Sequence, residues 1–394
     1  MNGKERAQTA FSHMEPDRVP IFELSIDNPT AEFVLGRPNL CGFGGKARGL
    51  LQNKAILDSN YYEYHKNRNE DKVELWKKLE LDVFPGVFPI PKQPMVPDQI
   101  SEYEWKFSDP NSGFWGIYAY SEESDVYDQV NSSLKEGGLA ELEKLTNYLE
   151  KQVFDPEQWD FSLVDSVING LGSELMLLGE ADVEIGSTYD WAETFLIGLL
   201  ETPDLIHRYL DARLKPALKM TEMLLERGVH GIHGGYDWAS NKGPVFSPRH
   251  FRQFVFPRLK QITDLCHRFG VPYIKHTDGN VNVLLKDMID AGVDGFQAIE
   301  PRAGMNIAKI KKDYGDQLTL IGNVDCSTVL VDGPEEAVSE ETKNIIHVAA
   351  PGGGFLLSSS NSIHPGVKPE YYLAMLNTAR KEGKYPILKK NGEI

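Results

Sequence analysis

Cysteine and long apolar runs are both scarce in this chain. Its 394 residues include three cysteines, Cys41, Cys266 and Cys326. So few, in an odd number, exclude a disulfide framework, and we expect reduced thiols. No apolar run is long enough to span a membrane. The first residues are polar and charged, without the apolar core of a signal peptide. We therefore expect a cytoplasmic protein with no membrane partner.

Basic residues are fewer than acidic residues in this chain. The chain has 41 Lys and Arg against 58 Asp and Glu, which gives a formal net charge of −17. A surface this acidic repels a phosphate backbone, so nucleic acid is not expected as a partner. Apolar residues make up 41% of the chain, enough for a globular core. No linker rich in Pro, Gly or Ser divides the sequence, and we predict one domain over residues 1–394.

What the sequence does have is a regular alternation. From about residue 174 onward, short β-rich runs alternate with helical stretches, the pattern of parallel βαβ units. With two earlier runs, the predicted strands are residues 18–24, 82–87, 174–179, 229–234, 272–276, 294–299, 318–322 and 354–358. Eight is the strand number of a closed (β/α)8 barrel. Residues between about 99 and 130 alternate as aromatic hairpins. The predicted fold is thus an α/β TIM barrel with an N-terminal helical and hairpin insertion over its mouth.

The most informative segment is 275–280, which reads KHTDGN. His276 and Asp278 are two residues apart at a strand-to-helix junction, so they point to the same side of the exit loop, where a metal or a reacting group can be held. Other predicted strands also end in polar residues, and these ends converge on one barrel mouth. The predicted mouth residues are Glu23, Asp27, Glu180, Asp182, Glu184, Tyr236, Asp237, Trp238, His276, Asp278, Asn280, Glu300, Asn323, Asp325, Cys326, Ser358, Asn361 and His364. Such a ring of acids and amides implies a bound cation or a cationic substrate.

Several of these residues also have a structural interpretation. A histidine at a strand end is more often structural than a ligand. Asp237, Asp278 and Glu300 could be helix caps or members of ion pairs. Cys326 could be a small buried apolar residue, and Trp238 could serve packing. The residues taken singly leave both interpretations open.

Four runs together resemble the uroporphyrinogen decarboxylase superfamily. They are YDWASNKGP at 236–244, HTDGN at 276–280, GNVDC at 322–326 and LSSSNSIH at 357–364. The similarity extends from Asn2 to about Ala379, and it implies a single TIM barrel. That superfamily includes the decarboxylases, the zinc-dependent methyltransferases of corrinoid pathways, and the catalytic domain of cobalamin-independent methionine synthase.

The resemblance is closer to the corrinoid methyltransferases than to the decarboxylases. True decarboxylases carry an arginine-rich segment after the first strand, which neutralises the many carboxylates of their substrate. Here residues 23–28 read ELSIDN, and Asn361 replaces the histidine expected in the last motif. These differences argue against a polycarboxylate substrate.

The resemblance also implies a zinc site with altered ligands. The methyltransferases use His-x-Cys after the fifth strand and a second cysteine after the eighth, and the methionine synthase type adds a glutamate after the sixth. Those places are held by His276, Asp278, Asn361 and Glu300. Oxygen ligands in place of thiolates make a harder Lewis acid, better suited to an ether oxygen than to a thiol. The predicted metal ligands are His276, Asp278 and Glu300, with Asn361 or Cys326 as a fourth group.

The predicted function is methyl transfer from a small methoxylated, aromatic substrate to a corrinoid protein, as in O-demethylase components. Zinc would polarise the ether oxygen, or Asp237 or Tyr236 would protonate it as it leaves, so the predicted catalytic residues are these two with His276 and Asp278. The predicted substrate-binding residues are Glu23, Asp27, Trp238, Asn323, Asp325 and His364. Aromatic residues expected to sandwich the ring are Trp115, Tyr118, Tyr120 and Trp238.

Two alternatives remain open at this point. One is a decarboxylase that needs no cofactor, in which Asp237 or Asp278 stabilises a protonated ring. The other is a non-catalytic barrel that binds a corrinoid or a porphyrin, or that partners a corrinoid protein. A homodimer is also left open.

Overall fold

The computed structural model describes residues 1–42 and 44–387. The predicted domain over 1–394 therefore includes seven C-terminal residues that lie outside the described part. In chain order the strands of the described part are β1 (Val83–Val87), β2 (Ile90–Pro91), β3 (Asp98–Ser101), β4 (Glu104–Ser108), β5 (Trp115–Ser121), β6 (Val126–Ser132), β7 (Trp159–Asp160), β8 (Met176–Glu180), β9 (Gly231–Gly234), β10 (Ala239–Ser240), β11 (Gly243–Pro244), β12 (Tyr273–His276), β13 (Gly295–Gln297), β14 (Thr319–Val324) and β15 (Phe355–Ser359). Strands β1, β8, β9, β12, β13, β14 and β15 form one sheet in that order, and all its pairs are parallel.

The chain before β1 closes this sheet into a cylinder. On the β15 side, Phe22 N–H donates to Leu357 O at 2.9 Å, and Leu357 N–H donates to Pro20 O at 2.9 Å. On the β1 side, Asp82 N–H donates to Ile21 O at 2.9 Å. The pairing consists of isolated bridges, because Pro20 has no N–H and Ile21 N–H binds the Asp82 carboxylate instead. The predicted barrel is confirmed, with a first strand less regular than predicted.

Helices alternate with the barrel strands along the chain. They are α1 (Gly3–Phe11), α2 (Asn28–Leu35), α3 (Gln52–Leu57), α4 (Tyr61–Lys78), α5 (Ser133–Leu149), α6 (Ser162–Leu171), α7 (Ala192–Glu201), α8 (Pro203–Arg227), α9 (Pro248–His250), α10 (Phe256–Arg268), α11 (Leu285–Asp290), α12 (Ile307–Tyr314), α13 (Val329–Asp332), α14 (Glu335–Ala349) and α15 (Pro369–Glu382). A π-helical turn, Phe251–Val255, joins α9 to α10, and another, Lys46–Leu51, precedes α3. None of the helices in the described residues has the length and apolar character needed to cross a bilayer.

The inside of the barrel is apolar toward its N-terminal end. Helix α1 closes that end with Ala7 and Ala10, both fully buried. The two alanines pack with side chains from the strands, and the cluster consists of Ala7, Ala10, Phe22, Val83, Met176, Leu178, Ile274, Ile321 and Leu356. Because this end is filled, the C-terminal ends of the strands are left to form a binding site, as is usual for this architecture.

The predicted hairpin insertion is a four-stranded antiparallel sheet, β3 to β6. It packs on the chain around α3, where Asn53 Nδ2 donates to Tyr127 OH at 3.0 Å. Gly49 lies so close to the Tyr127 ring that an added Cβ would come within 2.4 Å of a ring carbon. At the other end, Ser132 Oγ donates to Asp190 at 3.0 Å. The sheet therefore connects the chain around α3 to the loop after β8.

Candidate metal centre

A cavity of about 670 Å³ lies at the C-terminal ends of the barrel strands. Eight of the predicted mouth residues line it: Glu180, Asp182, Glu184, Tyr236, Asp237, His276, Asp278 and Asn361. Several lining residues were not predicted, among them Arg48, Lys72, Gly86, Phe88, Arg213 and His233. A cavity of this size accommodates a small organic molecule.

Three side chains at the cavity form a compact donor cluster. Asp237, His276 and Asp278 bring one donor atom each to within 4.8 Å of one another. His276 Nε2 lies 3.6 Å from Asp237 Oδ1 and 3.8 Å from Asp278 Oδ1. Both distances are longer than a hydrogen bond. The imidazole nitrogen thus faces two carboxylates across a gap, which is an arrangement that suits a cation.

Gln297 fixes the orientation of the imidazole. Its Oε1 is hydrogen-bonded to His276 Nδ1 at the end of the neighbouring strand β13. A carboxamide oxygen can only accept, so Nδ1 carries the proton and Nε2 presents its lone pair to the carboxylates. Holding the second imidazole nitrogen in this way is typical of histidines that bind metals. Gln297 was not predicted from the sequence; its signal is a polar residue that ends an otherwise apolar strand.

The two carboxylates are held in place by hydrogen bonds. Asp278 N–H donates to Asp237 Oδ1 at 2.8 Å, and Asn361 Nδ2 donates to Asp278 Oδ2 at 2.6 Å. Asp278 Oδ1 is buried and has no hydrogen-bond partner among the described residues. Burial raises the pKa of Asp278 to about 6; Asp237 and Glu300 act in the same direction, while His276 opposes them. An unpartnered carboxylate oxygen beside an imidazole lone pair fits a divalent cation.

Glu300, a predicted ligand, is turned toward the backbone. Its carboxylate accepts Gly279 N–H at 2.9 Å, and it does not belong to the three-residue donor cluster of the described part. The preceding residues Ala298 and Ile299 have φ angles of 96° and 52°. A positive φ is unfavourable for a β-branched residue. This turn of the chain places Glu300 where it supports the loop that carries Asp278.

The other two predicted ligands are also engaged elsewhere. Asn361 presents its amide nitrogen to Asp278, and its Oδ1 accepts from Ser362 Oγ at 3.2 Å. Cys326 is buried with its Sγ 3.3 Å from Ser360 Oγ. The structure therefore differs from the predicted ligand set. Asp237 was predicted as a proton donor. It belongs instead to the donor cluster, because the loop that carries it follows β9, the strand next to β12.

The six predicted substrate-binding residues lie outside the cavity lining. Trp238 is fully buried, with its ring 5.3 Å from that of Phe251. Most of the others bind the polypeptide backbone: Asp27 accepts Gly44 N–H, Asn323 Nδ2 donates to Ile299 O, Asp325 accepts Ser327 and Thr328 N–H, and His364 Nε2 is bonded to Cys326 O. Glu23 binds Ser359. The aromatic residues Trp115, Tyr118 and Tyr120 also lie away from the lining, which has Phe88 and Tyr236 instead.

Glu23 is sealed inside the barrel. Its carboxylate accepts Ser359 Oγ at 2.6 Å, and burial raises its pKa to about 8, although the Ser359 hydrogen bonds oppose the rise. The ordinary value is 4.5. Between these two pH values the unfolded chain has released the proton while the folded protein still holds it. The folded state therefore loses stability as the pH rises from about 4.5 to about 8.

Exchange of Glu23 for glutamine tests this burial. We expect Glu23→Gln to gain stability over the wild type between about pH 5 and about pH 8, by an amount on the order of a few kcal/mol, because the amide has no proton to release. Urea unfolding of both proteins across this range measures the difference. A difference that does not change with pH would contradict the placement of Glu23.

Tyr236, which lines the cavity, belongs to a hydrogen-bonded network with Tyr189 and Glu184. Glu184 accepts from Arg213 Nε at 2.8 Å and from Tyr189 OH at 3.2 Å. Tyr189 OH lies 3.2 Å from Tyr236 OH. Burial, with the charge of Glu184, raises the pKa of Tyr236. Tyr236 therefore stays protonated at neutral pH.

Lys275 connects the site to strand β12 through an ion pair with Asp182. It is fully buried, and its Nζ donates to the Asp182 carboxylate and, at 2.6 Å, to Tyr236 O. Asp182 also accepts Tyr236 N–H at 2.8 Å and Tyr273 OH at 3.2 Å. The ammonium lies 4.0 Å from the centre of the Trp238 ring. This pair connects β12 to the loops after β8 and β9, and so positions the chain that carries Asp237.

The fold and the site define a TIM barrel with a candidate metal centre at the C-terminal ends of its strands. Comparison with known proteins identifies the family. The uroporphyrinogen decarboxylase (URO-D) family model matches residues 183–382, about half of the chain, and the chain belongs to that family.

Its relatives include both methyltransferases and decarboxylases. The chain is 29% identical over 214 residues to the methylcobamide:CoM methyltransferase MtaA of Methanosarcina barkeri, covering 54% of this chain and 60% of that protein. It is 24% identical over 206 residues to the uroporphyrinogen decarboxylase of Thioalkalivibrio sulfidiphilus, covering 51% and 55%. The chain thus spans less than two thirds of these curated relatives. A solved methyltransferase from Methanosarcina mazei has the same fold, with a TM-score of 0.64, 17% identity, and coverage of 97% of this chain and 99% of that one.

Proposed function

We propose that the protein transfers a methyl group from a methoxylated, aromatic substrate to a corrinoid protein, as an O-demethylase component. The observation that carries this proposal is the donor cluster of Asp237, His276 and Asp278. A cluster with oxygen donors and no thiolate suits activation of an ether oxygen better than that of a thiol. Similarity to a methylcobamide:CoM methyltransferase supports the methyl transfer.

Zinc is the metal we assign to this site. Asp237, His276 and Asp278 would hold it, while Gln297 orients the imidazole and Asn361 orients the Asp278 carboxylate. The unpartnered Asp278 Oδ1 and the imidazole lone pair fit this role. When bound, zinc supplies a Lewis acid that draws electron density from the ether oxygen.

Tyr236 is the group that we assign to hydrogen bonding with the leaving aryl oxygen. In the reaction the bond between the methyl carbon and the ether oxygen breaks, the carbon bonds to Co(I) of the corrinoid, and the aryl oxygen keeps the electron pair. That oxygen leaves as a phenolate, stabilised by a hydrogen bond from Tyr236, and takes its proton from solvent. Tyr236 lines the cavity and stays protonated at neutral pH, and Tyr189 lies within hydrogen-bond distance of its hydroxyl. Asp237, the other predicted acid, is engaged in the metal cluster.

The apolar part of the cavity wall would hold the aromatic ring. Phe88 and Leu24 line the cavity together with Tyr236, and flat rings pack favourably on such side chains. The corrinoid protein would approach from the cavity opening, since the opposite end of the barrel is closed by α1. We propose that the barrel and its insertion act as one domain.

Methyl transfer can be measured directly. Purified protein with zinc, a reduced corrinoid protein and a panel of methoxyarenes should give methylcobalamin, seen by its absorption, and an equal amount of the phenol. The variant Asp237→Asn should give neither. Absence of methylcobalamin with every methoxyarene would contradict the proposal. Release of carbon dioxide from a carboxylated ring without metal or corrinoid would favour the decarboxylase alternative instead.

A further inference from the structure

One wall of the cavity carries a lysine that the proposed methyl transfer does not use. Lys72 lies on α4 and lines the cavity. Its Nζ donates to Pro85 O at 2.6 Å, and it stands 4.5 Å from the centre of the Phe84 ring and 5.1 Å from that of Trp76. Among the described residues, no carboxylate oxygen lies within 4.0 Å of this ammonium.

Two other cations around the site, Arg213 and Lys275, are neutralised by direct contact. Arg213 is bound to Glu184, and Lys275 is bound to Asp182. Burial lowers the pKa of Lys72 to about 7, with Arg68 acting in the same direction and Glu180 opposing. A partly buried ammonium with no anion in direct contact is an electrostatically unfavourable group, and an anionic ligand would stabilise it.

The space in front of Lys72 is kept open by a glycine. Gly86 has a φ of 75°, in the left-handed region that favours glycine. A Cβ placed there would lie 3.2 Å from Lys72 Nζ and 3.2 Å from Glu180 Oε1. One point in the cavity wall is therefore within contact distance of both an ammonium and a carboxylate. A ligand atom cannot take the Cβ position itself, but Lys72 and Glu180 both line the cavity beside Gly86, so a ligand there can accept from Lys72 and donate to Glu180.

We infer that Lys72, Glu180 and Gly86 form a subsite for a carboxylate carried by the substrate, with Lys72 as its cationic partner. The inference rests on the proposed function for the nature of the ring, and it narrows the substrate to a methoxylated aromatic acid. The carboxylate occupies the wall at α4 and β1, and the methoxy group lies at the cluster of Asp237, His276 and Asp278. Glu180 accepts a neighbouring hydroxyl. The missing arginine-rich segment is consistent with a single carboxylate.

Binding without turnover tests the subsite. The probes are 3-methoxybenzoate and methoxybenzene, which share the ring and the ether and differ in the carboxylate. By isothermal titration, the wild type should bind the acid at least about tenfold more tightly, as expected for one charge-assisted contact. Lys72→Met should remove this preference. Lys77→Met, an exposed lysine on the same helix, should keep it. Lys72→Gln, which retains a donor for Pro85 O, repeats the test if the methionine variant does not fold.

The result separates this subsite from the proposed function. Equal binding of both probes by the wild type, or an unchanged preference in folded Lys72→Met or Lys72→Gln, overturns the subsite. If the preference depends on Lys72 but no methoxyarene yields methylcobalamin, the subsite stands and the proposed function fails. If methylcobalamin forms from both probes at equal rates in wild type and Lys72→Met, the function stands and the subsite fails.

Discussion

Replacing His276 with glutamine is expected to remove bound zinc and to lower the rate of methyl transfer by at least about a hundredfold. Nε2 of His276 is the nitrogen donor of the cluster found in the described residues, and its tautomer is fixed by Gln297. A glutamine cannot place a comparable lone pair between the two carboxylates. Metal content by elemental analysis and methylcobalamin formation measure the two effects.

Matched variants make this result specific to the cluster. His267 also forms a histidine–carboxylate contact, 2.9 Å from Asp294, but it is exposed on α10, and His267→Gln should keep zinc and activity. Asp237→Asn should lose zinc, whereas Glu300→Gln should retain it because Glu300 binds Gly279 N–H. Full zinc content in His276→Gln would contradict the assigned centre.

Asp182→Asn is expected to destabilise the protein by about 3–5 kcal/mol, the usual effect of leaving a buried charge without its partner. The ammonium of Lys275 is fully buried, and burial lowers its pKa while Asp182 opposes that shift. After the exchange the ammonium retains Tyr236 O and the face of the Trp238 ring. Chemical denaturation measures the loss.

Two further variants test the origin of that loss. Lys275→Met should destabilise the protein less than Asp182→Asn, because the Asp182 carboxylate still accepts from Tyr273 OH and Tyr236 N–H. The double variant should recover part of the loss, since neither charge is then left alone. Lys260→Met removes an exposed pair with Asp264 and should change stability little. An additive double variant would argue against a coupled pair.

The barrel could be predicted because its signals are local. Alternation of apolar strands and amphipathic helices continues through the second half of the chain. Helix starts also carry local signals: Ser247 precedes Pro248 and caps α9, with Ser247 Oγ accepting His250 N–H at 3.2 Å. The first strand was harder to predict. Its pairing depends on the Asp82 side chain, which replaces a backbone partner of Ile21. A pattern of residue types does not reveal that a side chain has taken the place of a backbone hydrogen-bond partner.

Which residues form the site depends on the register of neighbouring strands. Lys275 of β12 pairs with Gly234 of β9, and this register brings the loop with Asp237 beside His276. The sequence identified these residues as members of one mouth, but it did not separate Asp237 in the cluster from Glu300 on the backbone. Site residues that lie within strands and helices were still harder to recognise from the sequence. Gln297 ends a buried strand, and Lys72 lies in a helix with many charged residues, where a cavity-lining lysine resembles a solvated one.

Anomalous diffraction at the zinc edge from crystals of the zinc-loaded protein is the sharpest test of the assigned metal centre. We expect one strong peak between Nε2 of His276 and the carboxylates of Asp237 and Asp278, at distances of about 2.0–2.2 Å from the donor atoms. The peak should disappear in crystals of His276→Gln. A peak at Cys326 or elsewhere, or no peak at this cluster in protein that holds zinc, would contradict it.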